Sequence, residues 1–237
     1  MRSPLLQALA GLAVLLLVLS GCAAFRPIAN THLERGKQAI DDENYQLAIA
    51  ELREAVKIDP THAEAHFDLG VAYKKSGDLD SAAKTLEQAA VLDPNSVQTF
   101  SQLGEVYVLL ERLAQAIRAY AMAADLDPKN FDVQYRLAGC YHQSGDLENA
   151  AVRYRKSIAL NPTSAFAKSN LGAVLAAQGK PYEAIAAYKE SLESDAGQPV
   201  VLVNLATVYL DQQRWVAARL ALDRAIELDP KLASAHE

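Results

Sequence analysis

Two histidines four residues apart, His62 and His66, have the spacing most suggestive of chemistry, because two imidazoles on one helix face can bind a metal ion. The sequence between them, Ala-Glu-Ala, lacks the glutamate that follows the first histidine in zinc proteases. His62 comes just after Pro60, which indicates a connection between helices. His66 shares its position, at multiples of 34 residues, with Phe100 and Leu202. We therefore predict structural roles for both histidines and no metal site.

Other catalytic patterns are missing from the sequence. It contains no glycine-rich phosphate loop, no Gly-x-Ser-x-Gly turn and no Cys-His pair at nucleophile spacing. Cys140 adjoins Tyr141 on a predicted helix, where a small buried residue fits, and His142 lies on a different face of that helix. The sequence thus predicts a protein that is not an enzyme and binds no cofactor.

The other cysteine, Cys22, ends an apolar segment. Arg2 provides a positive start, residues 5–19 carry no charge, and Leu-Ser-Gly-Cys follows at 19–22. The apolar run is shorter than the ~20 residues of a membrane-spanning helix and is typical of a signal peptide. Leu-Ser-Gly-Cys resembles the lipobox of bacterial lipoproteins, whose cysteine carries fatty acyl chains such as palmitate. The resemblance implies a cleaved signal peptide at 1–21 and lipidation of Cys22; the alternative is a plain secretory signal with a chance cysteine.

The lipoprotein resemblance also implies a location. In Gram-negative lipoproteins an Asp after the cysteine favours retention in the inner membrane, and this chain has Ala23 there, which favours the periplasmic face of the outer membrane. Two or three acyl chains make a stable anchor. Residues 22–28 are the predicted tether, and an extended chain as far as Asn30 reaches roughly 25 to 30 Å. Partners are therefore expected near this leaflet.

From about Ala29 to Pro230 the sequence repeats every 34 residues. One column holds Pro60, Pro94, Pro128, Pro162, Ala196 and Pro230. Twelve residues earlier stand Ala48, Ala82, Ala116, Ala150, Ala184 and Ala218. Another twelve earlier the column is again small: Gly36, Gly70, Gly104, Ala138, Gly172 and Ala206. A bulky column alternates with these at helical spacing: Leu52, Leu86, Tyr120, Tyr154, Tyr188 and Leu222.

Each repeat has two segments with apolar residues three and four apart, separated by turns such as Ser-Gly-Asp at 76–78 and closed by Asp-Pro. The sequence therefore predicts one helical hairpin per repeat. The 34-residue period and the small-Tyr-Ala-bulky-Ala-Pro skeleton resemble the tetratricopeptide repeat. The resemblance implies an all-α fold, a right-handed superhelical solenoid of six hairpins. The predicted repeats are 29–62, 63–96, 97–130, 131–164, 165–198 and 199–230, with a short tail at 231–237.

Composition agrees with a helical array. Apolar residues make up 51% of the chain and charged residues 22%. The formal net charge is −6 and there is no basic cluster, so nucleic-acid binding has no electrostatic support.

The family resemblance implies that the first helix of each repeat lines a concave groove. The candidate peptide-binding residues at its contact positions are Lys37, Phe67, Lys74, Gln102, Tyr135, Arg136, Phe166, Asn170, Val203 and Asn204. The same positions add Asp41, Asp68, Val71, Glu105, Val108, His142, Ala173 and Thr207.

Two recognition devices of the family can be compared with this groove. The Lys and Asn clamp for chaperone C-termini is absent, because the matching places hold Leu33, Phe67, Ser101 and Tyr135. The asparagine ladder that binds an extended peptide backbone keeps only Asn170 and Asn204 of six places. Each of these is either a peptide contact or a solvated groove residue.

The C-terminal end is a second candidate surface. Solenoids usually finish with a polar capping helix, and only residues 231–237 follow Pro230. We expect Trp215, Leu222 and Ile226 to be incompletely covered, so that this end mediates homo-oligomer formation or partner docking. The alternative is that the short tail folds back over it.

Together these features predict a membrane-anchored, non-catalytic protein–protein interaction module. A lipoprotein of six such repeats resembles the pilotin and pilus-stability lipoproteins of type IV pili, which bind secretin subunits and promote their insertion and multimerisation. This resemblance implies an assembly factor whose partners are a secretin or other pilus components. The alternative is a scaffold that recruits or regulates cell-envelope enzymes, namely peptidoglycan hydrolases, synthases or periplasmic proteases.

Overall fold

The computed structural model describes residues 26–231, which form twelve α-helices joined by short turns and contain no strand. The all-α repeat fold predicted from the sequence is confirmed. The predicted signal peptide, Cys22 and residues 232–237 of the tail lie outside the described residues. The helices are α1 (26–41), α2 (Tyr45–Ile58), α3 (Ala63–Ser76), α4 (Leu79–Leu92), α5 (Val97–Leu109), α6 (Leu113–Leu126), α7 (Phe131–Gln143), α8 (Leu147–Leu160), α9 (Ala165–Ala177), α10 (Pro181–Ser194), α11 (Pro199–Asp211) and α12 (Trp215–Leu228).

The chain divides into two compact units after Glu111. Within the described residues, the N-terminal unit contains α1 to α5 and the C-terminal unit contains α6 to α12. In both units, the two helices of a predicted repeat pack against each other as a hairpin, as α3 does with α4 and α9 with α10. No described helix is both long and apolar enough to cross a membrane.

Several helices begin where a short polar side chain caps the first backbone N–H groups. In six helices the cap accepts a hydrogen bond from the N–H three residues further on; these caps are Asn44, Asp78, Ser96, Asn130, Asp146 and Ser164. The turn between the two helices of each repeat contains one residue with a positive φ angle, in the left-handed region of backbone conformation. These residues recur every 34 positions: Glu43, Gly77, Glu111, Gly145, Gly179 and Gln213. Only three of these six residues are the glycine that this conformation favours.

The small and bulky columns form contacts between the two helices of the hairpins that contain Gly36, Gly70 and Gly172. A Cβ added to Gly36, Gly70 or Gly172 would come within 3 Å of the side chain of Leu52, Leu86 or Tyr188, respectively. The alanines of the column from Ala48 to Ala218 are at most 1% exposed. These glycines let a bulky side chain of the second helix pack directly on the backbone of the first.

The first helix starts earlier than expected. Residues 26–30 are helical, so the prediction of an extended tether is wrong for residues 26–28, and the estimated reach of 25 to 30 Å counted helical residues. Pro27 is tolerated in a first helical turn, and its carbonyl accepts a hydrogen bond from the Thr31 hydroxyl at 3.0 Å. Arg26 forms an ion pair with buried Asp59 at 3.4 Å, and Ala29 is fully buried. These contacts favour the helical conformation.

Candidate peptide-binding surface

In the N-terminal unit the candidate groove residues lie on the first helices of their repeats, α1, α3 and α5. The Nζ of Lys74 on α3 donates to Gln102 Oε1 at 2.6 Å and to Glu105 Oε2 at 2.9 Å, both on α5. Two predicted binding residues, Lys74 and Gln102, therefore bind each other. The charge of Lys74 is neutralised within the protein.

Lys37 on α1 is also paired. Its Nζ donates to Glu64 on α3, and to Glu34 one turn earlier on α1 at 3.4 Å. The hydrogen bond with Glu64 raises the pKa of Lys37, although burial acts in the opposite direction. Lys37 is therefore charged and connects α1 to α3 through its ion pair with Glu64.

Asp68 on α3 lies in the same charged region. Burial raises its pKa to about 6; the charges of Glu64 and Glu34 act in the same direction and that of Lys37 opposes them. Its Oδ2 atom is buried and, among the described residues, is the one buried side-chain polar atom without a hydrogen-bond partner. Buried polar atoms are rarely left in this state, which makes Asp68 a candidate functional residue.

A pocket of about 270 Å³ lies beside Asp68 in the N-terminal unit. It is lined by Ala63, Glu64, Phe67 and Asp68 of α3, by Asp93 and Ser96 before α5, and by Gln98 and Thr99 of α5. Of these eight residues the sequence singled out Phe67, and placed Asp68 on the same face. Glu64 and Gln98 were missed, although both occupy the second place of their repeats, a contact position in the family.

In the C-terminal unit an aromatic cluster forms the floor of the candidate surface. Tyr135 on α7 stacks on Phe131 with ring centroids 5.9 Å apart and meets Tyr154 edge-on at 5.7 Å. Its hydroxyl accepts a hydrogen bond from Asn170 Nδ2 on α9 at 2.9 Å. Phe166, one turn before Asn170, leaves 68% of its surface exposed.

The remaining candidates of this unit differ in accessibility. Arg136 on α7 and Asn204 on α11 are exposed, whereas Val203 is half-buried. Asn170 donates one of its two amide N–H groups to Tyr135, and its interpretation as a rung of a peptide-binding ladder stays a prediction. Asn204 has no such engagement described, and remains a candidate peptide contact.

The residues predicted to form the C-terminal edge differ in exposure. Trp215 is 62% exposed, but Leu222 and Ile226 are half-buried against the helix core. Val216 and Leu220, on the same helix as Trp215, are more exposed than Leu222 and Ile226, at 76% and 61%. The sequence analysis missed both. A signal was present, because the same two columns hold charged residues in other repeats, such as Asp80, Glu148, Lys84 and Arg118.

The histidines and the cysteine have structural surroundings. His66 Nε2 lies 3.0 Å from the Pro60 carbonyl, and His62 Nε2 lies 3.1 Å from Asn30 Oδ1, so the two rings have different partners. Cys140 is buried, and burial raises the pKa of its thiol to about 11. It is therefore a neutral thiol at pH 7, which suits packing rather than nucleophilic chemistry.

The structure consists of helical hairpins that recur every 34 residues. Small residues form contacts within these hairpins, and the first helices carry polar and aromatic side chains. These features define a helical-repeat interaction fold. The chain belongs to the tetratricopeptide repeat family. A tetratricopeptide repeat model matches residues 39–103 and 175–237, a TPR repeat model matches 140–179, and another tetratricopeptide repeat model matches 97–130. Proteins of this family bind protein partners, and the fold is typically a non-catalytic scaffold.

Several solved structures are similar to this chain. YrrB, described as a TPR protein with an unusual peptide-binding site, has a TM-score of 0.71 at 22% identity and covers 78% of this chain and 95% of its own. MamA has a TM-score of 0.68 at 25% identity, covering 71% and 92%. PilF of Pseudomonas aeruginosa has a TM-score of 0.68 at 19% identity, covering 89% and 96%. The likeness to YrrB and PilF shows the fold alone. No curated protein sequence matches the chain.

Proposed function

We propose that this chain is a lipid-anchored, non-catalytic assembly factor that binds subunits of a type IV pilus secretin, or of a related secretin machine, at the periplasmic face of the outer membrane. The observation that carries the proposal is the Leu-Ser-Gly-Cys sequence ending at Cys22, placed directly before a tetratricopeptide repeat array. Acyl chains on Cys22 would hold an interaction module next to the membrane into which a secretin inserts.

The architecture of the chain supports this assignment. The similarity to PilF extends over 89% of this chain and 96% of PilF, with a TM-score of 0.68. At 19% identity this is agreement of fold. The pilotin-like role is therefore a proposal that rests on the fold and the anchor together.

The exposed face of α9 and α11 is the best-supported contact surface for such a partner. Phe166 offers a large exposed aromatic ring beside the fixed Tyr135–Asn170 pair, and Asn204 offers an exposed amide. Aromatic side chains of this kind contribute disproportionately to protein–protein affinity. A partner segment that packs on Phe166 and hydrogen-bonds to Asn204 would use both.

The proposal is tested by affinity capture from detergent-solubilised envelopes, with the intact protein and a Cys22→Ala variant as paired baits and mass spectrometry as the readout. We expect a secretin or other pilus components with the intact protein. Recovery of peptidoglycan hydrolases, synthases or periplasmic proteases without a secretin would contradict the proposal and favour the envelope-enzyme scaffold.

A second pair of baits locates the contact. The Phe166→Ala/Asn204→Ala variant should capture at least several-fold less secretin, because it removes the exposed ring and the amide without touching the Tyr135–Asn170 hydrogen bond. Val152→Ala is the matched control. Val152 is also exposed, at 57%, but it lies on α8, the second helix of its repeat, and not on α9 or α11. Equal capture by both variants would place the contact elsewhere on the chain.

Lipidation and location have their own test. Metabolic labelling with an alkyne-bearing palmitate should mark the intact protein and leave the Cys22→Ala variant unlabelled. On density-gradient separation of the membranes, the labelled protein should sediment with the outer membrane. A labelled Cys22→Ala variant, or an intact protein found only in the soluble periplasm, would refute the anchor.

A further inference from the structure

The pocket beside Asp68 lies in the charged region of the N-terminal unit. Its volume of about 270 Å³ is small for a cofactor site but sufficient for one long side chain. It opens between the first two turns of α3 and the start of α5, which are the first helices of two successive repeats. The recess is thus suited to one side chain of a partner bound along the first helices.

The charges around the pocket are unbalanced. Three carboxylates, Glu34, Glu64 and Asp68, act on Lys37, and Lys37 donates its hydrogen bonds to Glu64 and Glu34. Asp93, which also lines the pocket, adds a fourth carboxylate at the turn before α5. Lys37 therefore acts on Asp68 through its charge while its hydrogen bonds go to the two glutamates, Asp68 Oδ2 has no donor, and the described residues around the pocket have an excess of negative charge.

The chemistry of Asp68 indicates what the pocket lacks. A carboxylate held in a partly buried place is stabilised by a ligand that brings positive charge and N–H donors at the same time. The buried Oδ2 atom has no hydrogen-bond partner, and no described donor of the protein supplies one. Phe67 lies on the same wall, and an aromatic face next to a carboxylate also favours a cation.

From these contacts we propose that the pocket formed by Glu64, Phe67, Asp68 and Gln98 binds the arginine or lysine side chain of an extended segment in the partner protein. This inference rests on the proposed function as an interaction module and specifies one feature of its partner. A guanidinium or ammonium group in the pocket would form an ion pair with Asp68, while Lys37 would retain its hydrogen bond to Glu64. The partner segment would continue along α3 and α5.

The test uses the full chain in detergent micelles as bait for a library of random twelve-residue peptides displayed on phage. We expect selected peptides to be enriched in arginine or lysine at one position. The Asp68→Asn variant should lose that enrichment. Glu54→Gln is the matched control, since it also removes one negative charge but lies on α2, where its carboxylate pairs with Lys57 at 3.1 Å.

A selected peptide then provides a quantitative measurement. Replacing its cationic residue by neutral, isosteric citrulline should weaken binding at least tenfold by fluorescence anisotropy with the wild-type chain and change little with Asp68→Asn. Peptides selected without any cationic preference, or a preference that persists in Asp68→Asn, would overturn this inference while leaving the chain a peptide-binding module. Failure to select any peptide would contradict peptide recognition by this chain as a whole.

Discussion

The Nδ2 atom of Asn170 donates a hydrogen bond to the hydroxyl of Tyr135 at 2.9 Å, joining α9 to α7 across two successive repeats. Tyr135 is further held by ring contacts with Phe131 and Tyr154. The floor of the candidate surface in the C-terminal unit is therefore fixed before a partner arrives. A preorganised surface loses less conformational entropy on binding, which favours affinity.

Removing either end of this hydrogen bond should destabilise the protein modestly and non-additively. We expect Tyr135→Phe and Asn170→Ala each to lower the free energy of unfolding by about 0.5 to 1.5 kcal/mol, as for a typical intramolecular hydrogen bond. The double variant should lose little more than the worse single variant, because the partners share one interaction. Urea denaturation of the four proteins measures this coupling. Fully additive losses would show that the two side chains act independently.

The contact between Gly172 and Tyr188 predicts opposite effects for two glycine substitutions. A Cβ at Gly172 would lie 2.7 Å from the Tyr188 ring, so Gly172→Ala should destabilise by about 1 to 3 kcal/mol through overpacking. A Cβ at Gly139 would meet Tyr154 at an ordinary 3.6 Å, so Gly139→Ala should stabilise its helix by roughly 0.5 to 1 kcal/mol. Thermal denaturation of both variants is sufficient. A stabilised Gly172→Ala protein would contradict the packing described.

The contact between Gly172 and Tyr188 was predictable, since both residues belong to columns that recur every 34 positions. The Asn170–Tyr135 hydrogen bond was not, because repeat columns show which face a side chain occupies but not which neighbour it bonds. Asp68 was placed on the correct face of α3. That its Oδ2 atom has no hydrogen-bond donor could not be predicted, because Lys37 donates to Glu64 and Glu34 instead. The helical start at residues 26–30 depends on the Arg26–Asp59 pair, which is distant in sequence.

The left-handed turn residues predict a simple route to higher stability. Glu43 has a φ angle of 57°, at the position where Gly77, with a φ angle of 88°, stands in the next repeat. Non-glycine residues pay about 1 to 2 kcal/mol in this conformation. Glu43→Gly should therefore raise the free energy of unfolding by roughly 1 kcal/mol, and Gly77→Ala should lower it by a similar amount. Chemical denaturation tests both, and a destabilised Glu43→Gly protein would argue against strain at this turn.

Asp68 should make stability depend on pH. Burial raises the pKa of its carboxyl to about 6, so the folded protein binds this proton more tightly than the unfolded chain. Its stabilising effect is complete below the ordinary Asp pKa and is lost as the pH rises through about 6. Asp68→Asn should therefore stabilise the protein by about 1 to 2 kcal/mol at pH 7.5, allowing for solvent screening, and by much less at pH 4.5.

The control for this comparison is Glu54→Gln, which removes a charge from an exposed pair on α2. It should change stability by less than about 0.5 kcal/mol, as is usual for a surface ion pair. Urea denaturation at the two pH values provides the data. An Asp68→Asn variant that is less stable than the wild type at pH 7.5 would mean that the carboxylate has a stabilising partner in the folded protein.

The central claim, that this chain assembles a secretin, is tested most directly by the amount of detergent-resistant secretin multimer in envelopes of a strain lacking the protein. We predict that multimers are depleted in this strain, restored by the wild-type protein, and not restored by Cys22→Ala or by Phe166→Ala/Asn204→Ala expressed at equal levels. Multimers at the wild-type level in the deletion strain would contradict the account.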